Sequence, residues 1–258
     1  MYKQKLSLWY SLISAVALLV LAFTVGHSFY NLGYDWDFIF LKDYFWDPST
    51  DQPGLILVGL WGTIYISVIS IICGSVFGVL CGLLLTSKEP VSRTAAILYV
   101  DIFRNTPVLV QLYVVYFIVG TAVEMSPEVA GILTLSLFCS AYVAEIFRGT
   151  LLEFERGQID AAQALGLNSF QLIRFVMAPQ ILRRMLPPLI GQFVSLVKDS
   201  SLVSVISVVD LTKSAMNVVA VSFRSLETWF VIAVIYFSLN FILSSLGRRL
   251  ERRLRVGV

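Results

Sequence analysis

The sequence predicts an all-α polytopic membrane protein with six transmembrane helices, and three observations support this prediction. Hydrophobic residues make up 57% of the 258 residues and charged residues only 14%, and the mean hydropathy is +0.81. Soluble domains have about 25% charged residues, so this chain has too little polar surface for a soluble globule. The chain also contains six apolar runs of membrane-spanning length, and most of its basic residues lie in every second segment that flanks or connects these runs.

The first apolar run, at residues 6–25, follows Lys3 and Lys5. A charged start before an apolar run is also typical of a signal peptide. However, the run has about the 20 residues that a bilayer requires, and no small-residue cleavage site follows it. We therefore expect an uncleaved membrane helix, followed by an external acidic and aromatic loop at residues 30–54.

The second run, at residues 55–86, has a glycine at every fourth position from Gly74 to Gly82. Such a stripe lets two helices pack closely in lipid, and packing within the subunit is favoured over a dimer interface. The first half of the run is more polar than lipid contact requires, and we expect it to face a cavity. Its small and polar residues are Gly59, Gly62, Thr63, Tyr65 and Ser67.

Ionisable residues interrupt the third run, at residues 95–123, which contains Asp101 and Arg104. An ionisable side chain inside a span costs about 2.5–3.5 kcal/mol on insertion scales, so these should face protein or water. For Arg104 a structural pair with Glu145, at similar depth on the fourth run (residues 129–147), is favoured. Pro107 frees a backbone carbonyl and predicts a kink.

The fifth run, at residues 189–209, is interrupted by Lys198, Asp199, Ser200 and Ser201. A Lys/Asp pair with two hydroxyls matches the carboxylate and ammonium of an amino acid. Lys198 and Asp199 are adjacent and point in different directions, so they need separate partners, with Glu145 or Arg104 as candidates. Structural ion pairing and ligand contact both remain open. A loop with Lys213 and Arg224 and a sixth run at residues 228–246 follow.

Residues 145–188 form the one long polar interval in the second half of the chain. Helical spacing ends at Gly166, and Asn168 or Ser169 offers a fresh N-cap. The pattern predicts a short helix, a glycine turn and a second helix that ends at Pro179. Since this unit cannot bury both its faces alone, we expect a docking surface. An amphipathic helix on the membrane surface is the less favoured alternative.

Charge places these segments on two sides of the membrane. With the C-terminus in the cytoplasm, the basic residues near both termini, at 88–93 and in the polar interval all lie inside. The loop at residues 30–54 and the Glu124–Glu128 turn then lie outside. Only Lys213 and Arg224 oppose the trend. The polar interval is therefore predicted to be cytoplasmic.

Three segments resemble the permease subunits of bacterial ATP-binding-cassette importers. The docking loop of that family has Glu-Ala-Ala, three residues, Gly, nine residues and Ile-x-Leu-Pro. This chain keeps the spacing, with Asp160, Val176 and Ala178 in place of Glu, Ile and Leu. Residues 103–111 and 198–204 resemble the polar amino-acid branch of the family. The similarity extends over about residues 55–255.

The resemblance implies the five-helix core of a type I importer at residues 55–250, with a cytoplasmic coupling helix. Residues 1–54 would add an extra helix and an external loop, and residues 251–258 a basic cytoplasmic tail. The residues implied in coupling to an ATPase are Asp160, Ala161, Ala162, Gly166, Leu167 and Pro179. A substrate pathway would involve Arg104, Lys198, Asp199, Ser200 and Ser201.

The resemblance also implies partners and a mechanism. Two such permeases, identical or related, would pair in the bacterial inner membrane above two ATP-binding subunits. A binding protein outside would deliver a polar amino acid, and ATP-driven closure would produce alternating access. The sequence has no phosphate-binding G-x-x-x-x-G-K-[ST] loop, so ATP and Mg²⁺ are expected to bind in the partner.

No catalytic constellation is visible in the sequence, which predicts a protein that is not itself an enzyme. One histidine, His27, and three cysteines inside apolar runs offer no metal-ligand spacing and predict ordinary buried thiols. The net charge of +2 gives no indication of nucleic-acid binding.

Three alternatives remain open. The first is the same architecture for another small solute, such as methionine or a small organic ion. The second is a stand-alone secondary transporter or channel, which predicts inverted-repeat halves; no such halves are evident. The third is a membrane scaffold, which leaves Lys198 and Asp199 unexplained.

Overall fold

The computed structural model describes residues 33–255, together with residues 14, 16–17, 19–20, 23–24 and 26–27. The predicted first membrane helix at residues 6–25 lies mostly outside the described residues. The chain divides into two compact units, Met1–Phe40 and Leu41–Val258. In the first unit, the Trp36 ring packs edge-on against Tyr34, with centroids 5.2 Å apart, and stacks on Phe38.

The second unit is almost entirely helical. It begins with a short helix and a two-stranded antiparallel pair, α1 (Leu41–Phe45), β1 (Trp46–Asp47) and β2 (Gln52–Pro53). The next helices are α2 (Leu55–Leu85), α3 (Pro90–Asn105), α4 (Val108–Gly120, with π-helical turns from Val114) and α5 (Pro127–Leu152). They are followed by α6 (Arg156–Ala164), α7 (Ser169–Ile206), α8 (Leu211–Ser222) and α9 (Ser225–Arg255).

Four of these helices, α2, α5, α7 and α9, are long and apolar enough to cross a membrane. The pair α3 and α4 makes a fifth, broken span with a bend of 109°. The helical membrane fold is thus confirmed. The total of six spans stays a prediction, because the remaining run lies mostly outside the described residues.

The break between α3 and α4 lies at Thr106 and Pro107. Thr106 is extended (φ −112°, ψ 144°), as expected before a proline, and Pro107 provides the N-cap of α4. The buried side chain of Gln111 stabilises the break, because its Nε2 donates to the carbonyls of Phe103 (2.8 Å) and Thr106 (3.0 Å). The predicted kink is confirmed, and the bend is large enough to separate α3 and α4 into two helices.

The glycine stripe of α2 faces α5. Cβ atoms added at Gly74, Gly78 and Gly82 would lie 2.7, 2.6 and 2.7 Å from side-chain atoms on α5. These atoms belong, in order, to Cys139, Val143 and Phe147. Packing of the stripe within the subunit is therefore confirmed. Around it, the core joins α2, α5 and the end of α7 through Ile66, Leu135, Leu196 and Val203.

The first half of α2 packs against α8, so the expectation of a cavity there is wrong for most of its residues. Cβ atoms at Gly59 and Gly62 would collide with Ser214 and Val209. The buried Thr63 hydroxyl accepts a hydrogen bond from the backbone N–H of Leu211 at 3.0 Å. The small residues make room for a neighbouring helix. Gly62 and Tyr65 fit the expectation, since both line a cavity of about 510 Å³.

Three further expectations about the second half of the chain are wrong. The helix that follows the glycine turn continues through Pro179 to Ile206, and its start is Ser169 instead of residue 189. Pro179 is tolerated because it follows the π-helical turns of Leu172–Met177, where the hydrogen-bond pattern is already shifted. The predicted loop with Lys213 contains α8, whose N-cap Asp210 accepts from the Lys213 N–H at 2.7 Å.

The cysteines are only partly as expected. Cys81 and Cys139 are buried, whereas Cys73 is exposed on the surface of α2. Within the described ranges, no group of three His, Cys, Asp or Glu side chains could hold a metal ion.

Candidate functional site

The turn between α6 and α7 is built around Gly166. This residue has a φ of +78°, a conformation that glycine adopts without the steric cost of a Cβ. The Leu167 N–H donates to the Ala162 carbonyl at 3.2 Å, and the Gly166 N–H to the Gln163 carbonyl at 2.9 Å. These two bonds are the Schellman pattern of a helix C-terminus. The predicted glycine turn is present.

A capping box begins α7 immediately after the turn. The Asn168 Oδ1 accepts from the Gln171 N–H at 2.9 Å, and the Gln171 Oε1 accepts from the Asn168 N–H at 3.0 Å. Each side chain thereby satisfies a backbone donor that the helix start leaves open. Asn168 is the N-cap, one of the two candidates from the sequence.

The turn unit is attached firmly to the rest of the chain. Phe154, Ile181 and Met185 are buried together, with Ile159 of α6 packed against them. Gln180 Nε2 donates to Gln158 Oε1 at 2.7 Å and so links α6 to α7. A movement of the turn should therefore be passed to both helices.

Four large apolar side chains of this unit are exposed. The exposed fraction is 82% for Leu165, 69% for Phe170, 56% for Ile173 and 64% for Phe175. A group of exposed, large apolar side chains on a polar segment is typical of a surface that binds another protein. We call the segment from Arg156 to Phe175 the coupling segment.

The predicted coupling residues differ in accessibility. Asp160, Ala161, Gly166 and Pro179 are exposed, Leu167 is half-buried, and Ala162 is buried against its own chain. Leu165 and Phe170 were not among the residues predicted for coupling. Two large apolar residues on either side of a glycine turn, in an otherwise polar interval, were the available signal.

A charged cavity of about 410 Å³ lies between α3 and α5. At its inner end, Arg148 donates to both Glu145 carboxylate oxygens, from Nε at 2.8 Å and from Nη2 at 2.6 Å. Arg104 Nη1 lies 3.6 Å from Glu145 Oε1, and its guanidinium lies 5.4 Å from the centroid of the Tyr142 ring. The predicted structural pair of Arg104 with Glu145 is confirmed, with Arg148 as a second partner.

Two more charged residues line this cavity, Arg93 and Asp101 of α3. Neither forms an ion pair with another side chain in the part of the chain that the structure describes. Arg93 was predicted only as part of a basic turn, and the spacing of 93, 97, 101 and 104 on one helical face was the signal for a common site.

The fifth-run residues do not join this cavity. Ser200 is buried and donates to the Val197 carbonyl at 2.9 Å, Lys198 is exposed, and Asp199 and Ser201 are half-buried. Over the described residues, neither Lys198 nor Asp199 forms an ion pair. The partners expected for them, Arg104 and Glu145, pair with each other.

The sequence matches one protein family over most of its length. Residues 74–256 match the model of the family described as binding-protein-dependent transport system inner membrane component. The glutamine transport system permease protein GlnP of Escherichia coli K12 is 38% identical over 214 residues, covering 82% of this chain and 98% of the relative. A probable glutamine ABC transporter permease of Bacillus subtilis is 35% identical over 209 residues, covering 80% and 96%.

Solved structures show the same relationship. A crystal structure of an amino acid ABC transporter with histidines has a TM-score of 0.75 and 32% identity, covering 85% of this chain and 100% of that one. The MetNI methionine ABC transporter, in an inward-facing conformation, has a TM-score of 0.67 at 22% identity, covering 78% and 96%. The second likeness shows the fold alone.

Proposed function

The chain belongs to the family of binding-protein-dependent transport system inner membrane components, and from that premise we propose that this importer permease moves glutamine or a similar polar amino acid into the cytoplasm. The relatives named for glutamine transport are matched over nearly their whole length. The chemistry of the chain agrees with a zwitterionic substrate, because both charge signs occur within its spans.

The observation that most supports an ATP-driven mechanism is the exposed apolar face of the coupling segment. Leu165 and Phe170 lie on both sides of a rigid turn and lack neighbours of their own chain that would bury them. A groove in an ATP-binding subunit would cover them, as grooves cover the apolar anchors of other docked helices. ATP and Mg²⁺ would then be held by that subunit, and hydrolysis would take place there.

The proposed assembly contains two permease chains, identical or related, two ATP-binding subunits and an external binding protein. Both termini would lie in the cytoplasm. The first run, at residues 6–25, would be an additional span that brings the total to six. The domain division would be residues 1–54, the permease domain 55–250 and the basic tail 251–258. The distribution of basic residues supports this orientation.

In the mechanism that we propose, closure of the ATPase pair pushes the two coupling segments together. The capped turn and the buried cluster around Ile181 pass this movement to α6 and α7. Since α7 continues to Ile206, the outer end of the bundle would move with the coupling segment. The result would be alternating access by movement of whole helices.

For the substrate pathway we propose Lys198, Asp199, Ser200 and Ser201, near the outer half of α7, and Arg104 on the cytoplasmic half. The absence of ion pairs for Lys198 and Asp199 within the described residues leaves both charges for ligand contact. A lone charge in a span is expensive unless it has such a role.

The test measures ATP hydrolysis by the complex of this chain with its candidate ATP-binding subunit, purified together and placed in lipid. Stimulation by a glutamine-loaded binding protein, and loss of stimulation in a Leu165→Ala/Phe170→Ala variant, are expected. A matched control is Val91→Ala, an exposed apolar residue at the first turn of α3. The proposal would be contradicted if the subunits did not co-purify, or if the binding protein stimulated ATP hydrolysis equally with and without glutamine.

A further inference from the structure

The charged cavity between α3 and α5 has a defined position in the fold. Leu85 and Thr86 at the end of α2, Arg93 in the first turn of α3 and Leu152 at the end of α5 form its mouth. In the orientation of the proposed function, on which this inference rests, the mouth opens to the cytoplasm. Arg104 and Glu145 form the inner end.

One face of α3 supplies most of the charges. Arg93, Ile97, Asp101 and Arg104 are spaced by four, four and three residues, which places them in one row along the helix. Eleven residues at 1.5 Å each give a row of about 16 Å from mouth to inner end. We call this cavity, with the charged row of α3 along it, the groove.

The charges in the groove are only partly compensated within the chain. Glu145 is satisfied by Arg148 and by Arg104. Asp101 and Arg104 stand three residues apart on one helical face, yet Arg104 turns to Glu145 and Tyr142, and Asp101 has no ion-pair partner in the described chain. A carboxylate and a guanidinium therefore border the same space without contacting each other.

This arrangement fits a free α-amino acid. Side chains at positions i and i+3 of a helix have Cβ atoms about 5–6 Å apart, close enough for both to contact one small zwitterion. A volume of about 410 Å³ is within the range of small-ligand sites. The formal charge of the groove is +1, from three arginines and two carboxylates, and Asp101 disfavours a purely anionic ligand.

We propose that this groove is a product site on the cytoplasmic side, in which Asp101 binds the ammonium and Arg104 the carboxylate of the transported amino acid. Occupancy would favour the conformation seen here, because the ligand would fill the space between α3 and α5 beside the Arg104–Glu145 pair that already joins them. Accumulated cytoplasmic amino acid would thereby slow further import by acting on the permease itself.

The test uses the whole transporter in proteoliposomes that contain ATP, with the glutamine-loaded binding protein outside. The readout is the ratio of initial uptake rates with and without L-glutamine inside, measured separately for each variant. We expect internal glutamine to lower the rate several-fold in the unaltered protein, and a ratio near one in Asp101→Asn. Glu124→Gln, which removes an exposed carboxylate before α5, should behave like the unaltered protein.

Two ligand analogues keep the test decisive if Asp101→Asn does not assemble. N-acetylglutamine lacks the ammonium and glutamine methyl ester lacks the carboxylate, so neither should inhibit the unaltered protein from inside. The inference is overturned if Asp101→Asn remains inhibited or if either analogue inhibits as strongly as glutamine. It is also overturned if the inhibition varies with the anionic lipid content of the vesicles instead of with internal glutamine. Absence of any uptake without internal glutamine would instead contradict the proposed function.

Discussion

Two glycines of this protein, Gly78 and Gly166, are required for opposite reasons. At Gly78, inside the contact of α2 with α5, a Cβ would lie 2.6 Å from the Val143 Cβ, although the backbone is ordinary helix. At Gly166 a Cβ would meet nothing within 4 Å, but the backbone has a φ of +78°. The first position lacks space and the second has a special backbone shape.

The difference separates a contact within the chain from the segment for which we propose a partner subunit. The α2–α5 contact is closed, with Cys139 and Val143 buried against the glycine stripe. In the coupling segment, backbone hydrogen bonds close the turn at Gly166, whereas Leu165 and Phe170 are exposed. We therefore expect substitutions in the first region to change folding, and substitutions in the second to change assembly.

The largest expected effect on stability is that of Gly78→Ala. The new methyl group must displace Val143 or the Ser140 carbonyl, and overpacking of this kind costs about 1–3 kcal/mol. Thermal unfolding in detergent, monitored by size-exclusion chromatography, measures the loss of stability.

Gly191→Ala is the matched control, because Gly191 lies within α7 with nothing near its Cβ position. That change should be neutral or should stabilise by about 0.5–1 kcal/mol, as expected for removing a helix glycine. Equal melting temperatures for both variants would show that the stripe is not tightly packed.

An intermediate effect is expected for Gly166→Ala. A left-handed residue with a Cβ costs about 1–2 kcal/mol, which the turn can relieve by distorting its Schellman bonds. The expected result is a modest fall in melting temperature and a clear fall in ATPase stimulation by the binding protein.

Gly157→Ala, in α6 with open space and an ordinary backbone, serves as the comparison for this change. It should preserve both quantities. If the two alanine variants couple equally well, the shape of the turn is not important for coupling.

The smallest effect on stability is expected for Leu165→Ala and Phe170→Ala. Exposed side chains contribute within about 0.5 kcal/mol to unfolding, so the melting temperature should stay nearly unchanged. The affinity for the ATP-binding subunit should nevertheless fall at least tenfold, because apolar anchors dominate such contacts.

Surface plasmon resonance with the permease in nanodiscs can measure the affinity for the ATP-binding subunit, with Val91→Ala as the control variant at an exposed apolar residue. Unchanged affinity in the double variant would place the docking surface elsewhere.

Much of this division was predictable from the sequence. Apolar runs located α2 and α5 within a few residues, because hydropathy over 20 residues is a strong signal in lipid. The four-residue glycine spacing predicted a close helix contact, and similar depth predicted the Arg104–Glu145 pair. Each of these depends on local spacing along one or two helices.

Other features could not be predicted in this way. The continuation of α7 through Pro179 depends on a π-helical section, which has no simple sequence pattern. The close contact of α2 with α8 depends on tertiary packing around Thr63. The groove with Arg93 and Asp101 becomes visible only when α3 and α5 stand side by side, which periodicity within each helix does not show.

The continuity of α7 has a mechanical consequence. Its 38 residues give a rod of about 57 Å, nearly twice the thickness of the hydrocarbon core. A rotation of about 10° at one end would displace the other by about 10 Å if the rod were stiff. Pro187 and Pro188 each remove one backbone hydrogen bond near its centre, and the π-helical turns at Leu172–Met177 form a second irregular section near its start. In the proposed mechanism, the movement that reaches Ile206 would thus depend on the bending stiffness of these two sections.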